Sequence, residues 1–347
     1  MNKIKTAIAS FGMSGKVFHA PLIHTHPSFE LSGILERSKN ESRALYPGAK
    51  IYRQYDDICR DDDIELVVIN TPDHLHFDMC KKALEHRKHV VCEKPFTLQY
   101  KDAMQLTELA EKQNVKLSVF QNRRWDGDFL TIQKVLREGL LGRLVFYEAH
   151  FDRFRNFIQE GTWKEDAGLG TGTLYNLGSH LIDQALVLFG KPVSVTADIR
   201  AMREGSDIDD MFEIWMNYPN VKVTVTASYL VNEPGPRYLL HGTEGSYLMG
   251  SIDPQEEALK KGVMPGGDDW GKYATEDYGR IKTQVKGKDR AEKIPTLQGN
   301  YLDYYDGIYE TIRLGKPLVV KPEEAAMVIR IIEAAKMSAA EQRTINI

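Results

Sequence analysis

Three groups of residues in this chain have the types and spacing to do chemistry. Cys92-Glu93-Lys94-Pro95 closes the apolar run His89-Val90-Val91, and a β-branched run of this kind suits a parallel strand covered on both faces. Open α/β sheets bind their ligands at the ends of such strands. A lysine there is placed to meet a ligand, and the proline after it fixes the backbone that presents it. Further along, Asn176, His180 and Asp183 recur at i, i+4 and i+7, the spacing of one helix face, and histidine is the side chain that exchanges a proton near neutral pH. The third group is the pair His74 and His76 in Asn70-Thr71-Pro72-Asp73-His74-Leu75-His76. With no cysteine and no third ligand spaced nearby, the pair reads as loop histidines filling local hydrogen bonds, and no metal site is expected.

The elements that must position these residues follow from the apolar pattern. Strand-like runs recur at Lys5–Phe11, Leu31–Leu35, Leu66–Ile69, His89–Cys92 and Leu117–Phe120. Met79, Ala83 and Leu84 form a helical stripe after the cap candidate Asp73, and Ala103, Leu106, Leu109 and Ala110 form another. Alternating strands and helices predict right-handed βαβ units and a doubly wound parallel sheet ending near residue 121. The first strand runs into Ser10-Phe11-Gly12-Met13-Ser14-Gly15, a G-x-G-x-x-G fingerprint with serine in place of its first glycine. Gly12 lets backbone N–H groups approach a pyrophosphate, and Gly15 lets the helix pack close to the strand. Glu36 closes the second strand, where a carboxylate accepts hydrogen bonds from the adenosine ribose, while Arg37 and Ser38 could instead hold a ribose 2′-phosphate. NAD and NADP are both open, with the glutamate favouring NAD because it would repel a phosphate.

Bulk properties exclude several classes. The chain of 347 residues is 42% apolar and 27% charged with a net charge of −4, which suits a two-domain globular protein and leaves no basic footprint for nucleic acid or anionic membrane. No apolar run approaches the roughly 20 residues of a membrane helix. The N-terminus leads straight into a strand-like run, so a secretory signal is not expected. Cys59, Cys80 and Cys92 are odd in number and lack C-x-x-C spacing, which fits reduced thiols in a cytoplasmic protein. From residue 144 onward come strand-like runs with few helices between them: Leu144–His150, Val193–Ile199, Phe212–Tyr218, Val221–Val225 and Tyr238–His241. These predict antiparallel pairing. Asp253–Gln298, rich in Gly, Lys and Asp, reads as a long irregular excursion, and Ala325, Val328, Ile329, Ile332 and Ala335 mark a final helix.

Several motifs occur together in order: the glycine loop continuing as Gly15-Lys16-Val17-Phe18-His19-Ala20-Pro21, then Thr71-Pro72 and His76, then Lys88-His89-Val90 leading to Glu93-Lys94-Pro95-Phe96-Thr97. Gln121-Asn122-Arg123-Arg124-Trp125-Asp126, His150-Phe151-Asp152-Arg153 and the Asn176…His180…Asp183 segment follow. Over essentially its whole length the chain resembles the glucose–fructose oxidoreductase/inositol dehydrogenase (Gfo/Idh/MocA) family of NAD(P)-dependent sugar and polyol dehydrogenases. The resemblance implies a Rossmann domain over residues 1–121 and a substrate-binding α/β domain over 122–347. The latter carries a large, open, mostly antiparallel sheet used for dimerisation, with the last helix packing back near the junction, in a homodimer or homotetramer. It implies a cofactor site of Gly12, Met13, Ser14, Gly15, Glu36, Arg37, Thr71, Pro72, His76, Glu93, Lys94 and Asn122 for NAD or NADP.

Oxidising a secondary alcohol needs a hydride acceptor, a base and stabilisation of the developing alkoxide. The resemblance assigns the last role to Lys94, places Glu93 near the nicotinamide ribose, and makes His180 the base. Asn176 stands where the family carries an aspartate, so it can hydrogen-bond a sugar hydroxyl but brings no charge to the histidine. Trp163 and Lys164 precede Gly168-Leu169-Gly170-Thr171-Gly172; Trp163 is a candidate to stack on a sugar face. The substrate expected is a sugar, polyol or cyclitol, or its keto form. An NAD-dependent glycoside hydrolase and a non-catalytic nucleotide-binding homologue are the alternatives.

Overall fold

Short runs of Val, Ile and Leu build the first sheet. In the computed structural model, which describes residues 2–162, 165–168, 170–284, 287 and 289–347, six strands belong to it: β1 (Ile4–Ile8), β2 (Phe29–Leu35), β3 (Lys50–Tyr52), β4 (Leu66–Ile69), β5 (His89–Cys92) and β6 (Leu117–Val119). They lie in the order β3-β2-β1-β4-β5-β6, and every pairing is parallel. All four residues of β4 are buried, as a strand covered on both faces requires. The strand order reverses between β1 and β4, so the segments that follow these two strands flank the switch point where such sheets bind ligands.

Helices α1 (Ala20–Thr25), α2 (Ser42–Leu45), α3 (Tyr55–Arg60), α4 (His76–Glu85) and α5 (Tyr100–Gln113) alternate with these strands. Buried Cys80, Ala83 and Leu84 define the inner face of α4, and Ala103, Leu106 and Ala110 that of α5. Two local details differ from the sequence pattern. Strand β3 has only three residues, too few to give an alternation signal. Asp73 does not cap α4; its carboxylate accepts the adjacent His74 N–H at 2.9 Å within a single tight turn, Asp73–Leu75, and the α-helix starts at His76.

A second sheet holds nine strands: β7 (Leu144–His150), β8 (Ser194–Arg200), β9 (Met211–Asn217), β10 (Lys222–Ser228), β11 (Tyr238–Gly242), β12 (Gly245–Met249), β13 (Gly279–Thr283), β14 (Arg290–Ile294) and β15 (Ile345–Asn346). Their order is β14-β13-β12-β11-β7-β10-β9-β8-β15. All pairings are antiparallel except that of β10 with β7. Tyr147, Ala149, Phe212, Ile214, Met216, Val223, Val225, Tyr238, Leu240 and Tyr247 are buried. These residues alternate with more exposed neighbours such as Trp215 and Lys222, the period-two pattern of a sheet with one packed face. Helices α6 (Gly127–Arg137) and α7 (Ser179–Phe189) belong with this sheet.

The chain forms two compact units, each assembled from three segments: Met1–Trp125, Pro254–Trp270 and Asn300–Ala326 in the first, Asp126–Asp253, Gly271–Gly299 and Met327–Ile347 in the second. The expected irregular excursion over Asp253–Gln298 is corrected here. It contains helix α8 (Gln255–Lys260) and strands β13 and β14. Four of the five residues of β14 (Arg-Ala-Glu-Lys-Ile) are exposed; a short, charged edge strand discourages pairing with another chain but gives little apolar signal. Helices α9 (Leu302–Leu314) and α10 (Pro322–Glu341) precede the last strand, β15, with Ala325, Val328, Ile329, Ile332 and Ala335 of α10 all buried.

Candidate active site

In the first unit, the segment after β1 is built around its serine. Ser10 Oγ accepts the Gly12 N–H at 3.1 Å, giving the loop a side-chain-closed turn where the fingerprint normally has glycine. Asn70, just after β4, donates from Nδ2 to the Ser10 carbonyl at 2.8 Å, and the Ser14 hydroxyl donates to the Asn70 carbonyl at 3.2 Å. The two segments at the switch point are thus tied to each other. Gly15 opens a wide helical turn (Gly15–His19) that continues into α1. A Cβ on Gly15 would lie 2.3 Å from the Ser10 carbonyl oxygen and 2.9 Å from Asn70 Nδ2, so only glycine fits. Asn70 Oδ1 is buried without a hydrogen-bond partner among the described residues. A backbone brought this close to a helix start, with an acceptor still to be satisfied, suits the pyrophosphate and donor groups of a nicotinamide dinucleotide.

Glu36, the candidate ribose acceptor, is buried, and its carboxylate turns back on its own chain. Oε1 accepts the Glu41 N–H at 2.9 Å, and Oε2 accepts the Ser42 hydroxyl at 2.6 Å and the Ser42 N–H at 3.3 Å. Arg53 holds the same loop by donating to the Glu36 and Lys39 carbonyls, each at 2.6 Å. Arg37, Ser38, Lys39 and Arg43 are exposed around it.

His76 is almost fully buried, and its ring nitrogens lie 2.9 Å from the Pro95 carbonyl and 3.0 Å from the Thr71 carbonyl. It therefore staples the Thr71-Pro72 segment to the segment that follows β5. There Glu93 is buried and Lys94 half-buried, and the Lys94–Pro95 peptide is cis. Glu93 Oε2 accepts the Lys94 N–H at 3.0 Å, and Oε1 lies 3.0 Å from His19 Nε2. Burial pushes the Glu93 carboxyl up, but the His19 bond, with Lys94 and His76 beside it, outweighs burial and leaves the carboxyl below its ordinary range. Asn122 is buried at the start of the helical turn Asn122–Trp125, just beyond β6. Met13, by contrast, is well exposed.

In the second unit, the candidate base sits on a helix whose start is set by Asp209. Asp209 Oδ2 accepts the Leu174 N–H at 2.7 Å and the Thr173 hydroxyl at 2.9 Å, doing from a distance what an N-cap side chain does locally. Gly172, at φ +91°, could carry no side chain here, because a Cβ would lie 2.2 Å from the Asp209 carboxylate. The helix begins as one wide turn, Leu174–Gly178, before continuing as α7. That turn carries Asn176, and the inserted residue rotates it relative to the i, i+4 alignment that a uniform α-helix would give. His180 and Asp183 are buried, while Asn176 is partly exposed. The Phe151 ring lies 6.4 Å from the His180 ring, and the Arg237 guanidinium stacks 4.4 Å from the Phe151 ring centroid. Arg237 also donates to Gln184 Oε1 at 3.4 Å, which accepts the Tyr238 hydroxyl at 2.7 Å. Trp163 lies outside the described residues.

Several of these participants carry no local sequence signal. Asp209 and Ser42 act on groups that the chain brings to them only after it has folded back. Asn70 and His19 stood inside the motifs but gained their roles only from the packing. Among the described residues, no three His, Cys, Asp or Glu side chains are grouped to hold a metal ion, and no helix is long and apolar enough to cross a membrane.

Residues 4–121 match the model of an oxidoreductase family's NAD-binding Rossmann fold, and residues 133–347 that of the same family's C-terminal alpha/beta domain. The chain is 41% identical over 346 residues to scyllo-inositol 2-dehydrogenase (NADP(+)) IolW of Bacillus subtilis, covering 99% of this chain and 96% of that one. Among solved structures, an oxidoreductase from Bacteroides fragilis is 47% identical with a TM-score of 0.92, each chain covered in full. The oxidoreductase yvaA from Bacillus subtilis is 40% identical with a TM-score of 0.97, covering 100% of this chain and 99% of that one.

Proposed function

The chain belongs to the Gfo/Idh/MocA family of NAD(P)-dependent oxidoreductases, and from that premise we propose that it is an NADP(H)-dependent dehydrogenase interconverting a secondary alcohol of a cyclitol or polyol with the corresponding ketone. The substrate class rests on the full-length similarity to a scyllo-inositol 2-dehydrogenase. The cofactor preference is carried by one observation: the Glu36 carboxylate is already consumed by Ser42 and the Glu41 N–H. An acid in that state neither offers its oxygens to a ribose diol nor stands exposed to repel a 2′-phosphate. Exposed Arg37, Ser38 and Arg43 supply the cationic and hydroxyl donors that recognise one.

When bound, the nicotinamide supplies the hydride acceptor. The remaining work belongs to the protein. Lys94 donates from its ammonium to the substrate oxygen and stabilises the developing alkoxide. His180 takes the hydroxyl proton on oxidation and returns it on reduction. Asn176 donates and accepts hydrogen bonds at a neighbouring hydroxyl. Because Asn176 carries no charge, it cannot strengthen His180 as a base, and Lys94 bears more of the charge stabilisation. The test is steady-state oxidation of scyllo-inositol, with a panel of inositols and sugars, using NADP+ and NAD+ in parallel. Turnover with a clear NADP+ preference supports the proposal; a preference for NAD+ refutes the cofactor assignment, and inactivity on every cyclitol refutes the substrate class.

A further inference from the structure

The first unit holds a buried line of polar groups that the proposed reaction does not use directly. His19 is fully buried and lies between two partners: its Nδ1 is 2.7 Å from the Tyr305 hydroxyl and its Nε2 is 3.0 Å from Glu93 Oε1. Glu93 in turn accepts the Lys94 N–H on its other oxygen at 3.0 Å. Four residues from three separate segments thus form one hydrogen-bonded chain: α9, the helical turn that follows the glycine loop, and the end of β5. Aromatic rings enclose it. Phe120 lies 4.5 Å from the His19 ring, and Phe29 and Tyr304 each lie 5.4 Å from the Tyr305 ring. Tyr305, Tyr304, Phe120 and Phe29 are all essentially inaccessible. His19 and Tyr305 are fully buried, so a bond lost between them is not readily replaced by water, and each depends on the other.

We propose that His19 and Tyr305 are positioning residues for Lys94, acting through Glu93, and that they couple the helix of the nucleotide loop to the lysine. The proposal rests on the role that the proposed function gives Lys94. The Glu93 carboxyl is held below its ordinary range and so can only accept, which puts the proton of the His19–Glu93 bond on Nε2. On a neutral ring Nδ1 is then the acceptor, and the Tyr305 hydroxyl, kept protonated by burial, donates to it. The carboxylate so held fixes the Lys94 backbone at the residue whose ammonium must meet the substrate oxygen. His19 lies at the far end of the turn that Gly15 opens, so displacement of that turn is transmitted to Glu93 through a single rigid ring. His19 and Tyr305 are both fully buried, which separates their role from direct contact with cofactor or substrate.

Two variants of one residue separate positioning from packing. His19→Gln keeps an amide N–H near the Nε2 position and an acceptor for Tyr305; His19→Leu keeps bulk and loses both. His19→Leu is expected to lower kcat/KM for scyllo-inositol about 10- to 100-fold, the scale of a misplaced catalytic group. His19→Gln should recover to within about threefold of the parent, since it restores hydrogen bonds of the same kind. The pH profile gives the readout that a purely structural role would not move. The groups facing Glu93 are His19, Lys94, His76, Cys92, Tyr304 and Tyr305. Without the His19 bond the Glu93 carboxyl loses the largest contact that opposes burial and titrates higher than in the parent, so its protonation joins that of His180 on the acid side, and the acid limb of kcat/KM moves to higher pH in His19→Leu but not in His19→Gln.

The proposal is overturned if His19→Leu stays within about threefold of the parent with its acid limb unmoved, a change too small for a lost positioning bond. It is equally overturned if the two variants are impaired alike with unshifted profiles. Should His19→Leu fail to fold, Tyr305→Phe decides the matter, with a smaller fall in kcat/KM and an upward shift of the acid limb expected; an unmoved limb overturns the proposal. Lys94→Ala is run alongside. If it retains activity, the role of Lys94 itself fails; if it is inactive while His19→Leu is normal, only the positioning role fails.

Discussion

Ser42→Ala should weaken the proposed preference for NADP(H) over NAD(H). In the parent, the Ser42 hydroxyl donates to Glu36 Oε2 at 2.6 Å, and both groups are buried. A hydrogen bond to a charged acceptor contributes about 1.5–3 kcal/mol. The two backbone donors, Glu41 N–H at 2.9 Å and Ser42 N–H at 3.3 Å, survive the substitution, so the carboxylate is loosened rather than released. Taking the lower part of that range as the change in restraint gives about a tenfold shift in the ratio of kcat/KM for the two nucleotides, since about 1.4 kcal/mol corresponds to tenfold. The direction follows from charge: a mobile Glu36 repels a 2′-phosphate and offers oxygens to a ribose diol. The assay is steady-state kinetics with scyllo-inositol and each nucleotide, backed by fluorescence titration of NADPH and NADH. A double-mutant cycle with Glu36→Gln isolates the effect, because Ser42→Ala should change little once the charge is gone. An unchanged nucleotide ratio in Ser42→Ala, or an equal shift when Ser42→Ala is made on top of Glu36→Gln, would refute the reasoning.

Gly15→Ala places a methyl group 2.3 Å from the Ser10 carbonyl oxygen, so the nucleotide loop must move; the Kd for NADPH by fluorescence should rise at least about tenfold, since the backbone approach to the pyrophosphate is lost. Asp209→Ala removes the acceptor for the Leu174 N–H and the Thr173 hydroxyl and should cost about 1–2 kcal/mol by chemical denaturation, the scale of a lost helix cap. Asp209→Asn tests the charge: burial pushes the Asp209 carboxyl up, more than the Leu174 and Thr173 bonds lower it. A carboxyl raised by folding makes stability fall as pH rises from the unfolded toward the folded pKa. Melting temperatures measured across the acidic range should therefore fall less steeply with rising pH in the Asn variant.

The parallel sheet was legible because its strands are short apolar runs between helical stripes, and β4 and β5 are buried along nearly all of their length. The antiparallel sheet was legible as far as β11, while alternation held. It was lost from β12 onward: Gly279-Arg280-Ile281-Lys282-Thr283 alternates in burial but with a single large apolar side chain, and Arg290-Ala291-Glu292-Lys293 is exposed throughout. A strand at the margin of a sheet has few packed neighbours to demand apolar residues, so pairing rather than burial defines it. The candidate site divides in the same way. Gly15, Lys94 and His180 stand out as candidates because their chemistry or backbone freedom is local, while the roles proposed for Lys94 and His180 come from the family resemblance. The state of Glu36 could not, since it depends on where Ser42 folds back after a turn.

Ser10 makes the same point from the other side. As a departure from the glycine fingerprint it weakens the motif, yet its hydroxyl accepts the Gly12 N–H and its carbonyl accepts from Asn70. The tight turn is thus made by a side chain where backbone freedom would otherwise make it. What the loop requires is the turn, together with the absence of a Cβ at Gly15, where Ser10 and Asn70 leave no room. Asn176 lacks such a substitute among its chemical options: an amide can replace a carboxylate as a hydrogen-bonding group but not as a charge. A serine thus makes the turn that a glycine would make in this loop, whereas in the proposed reaction the asparagine leaves the electrostatic burden to Lys94. That dependence is why the groups fixing the Lys94 backbone, Glu93 and behind it His19, gain weight in this chain.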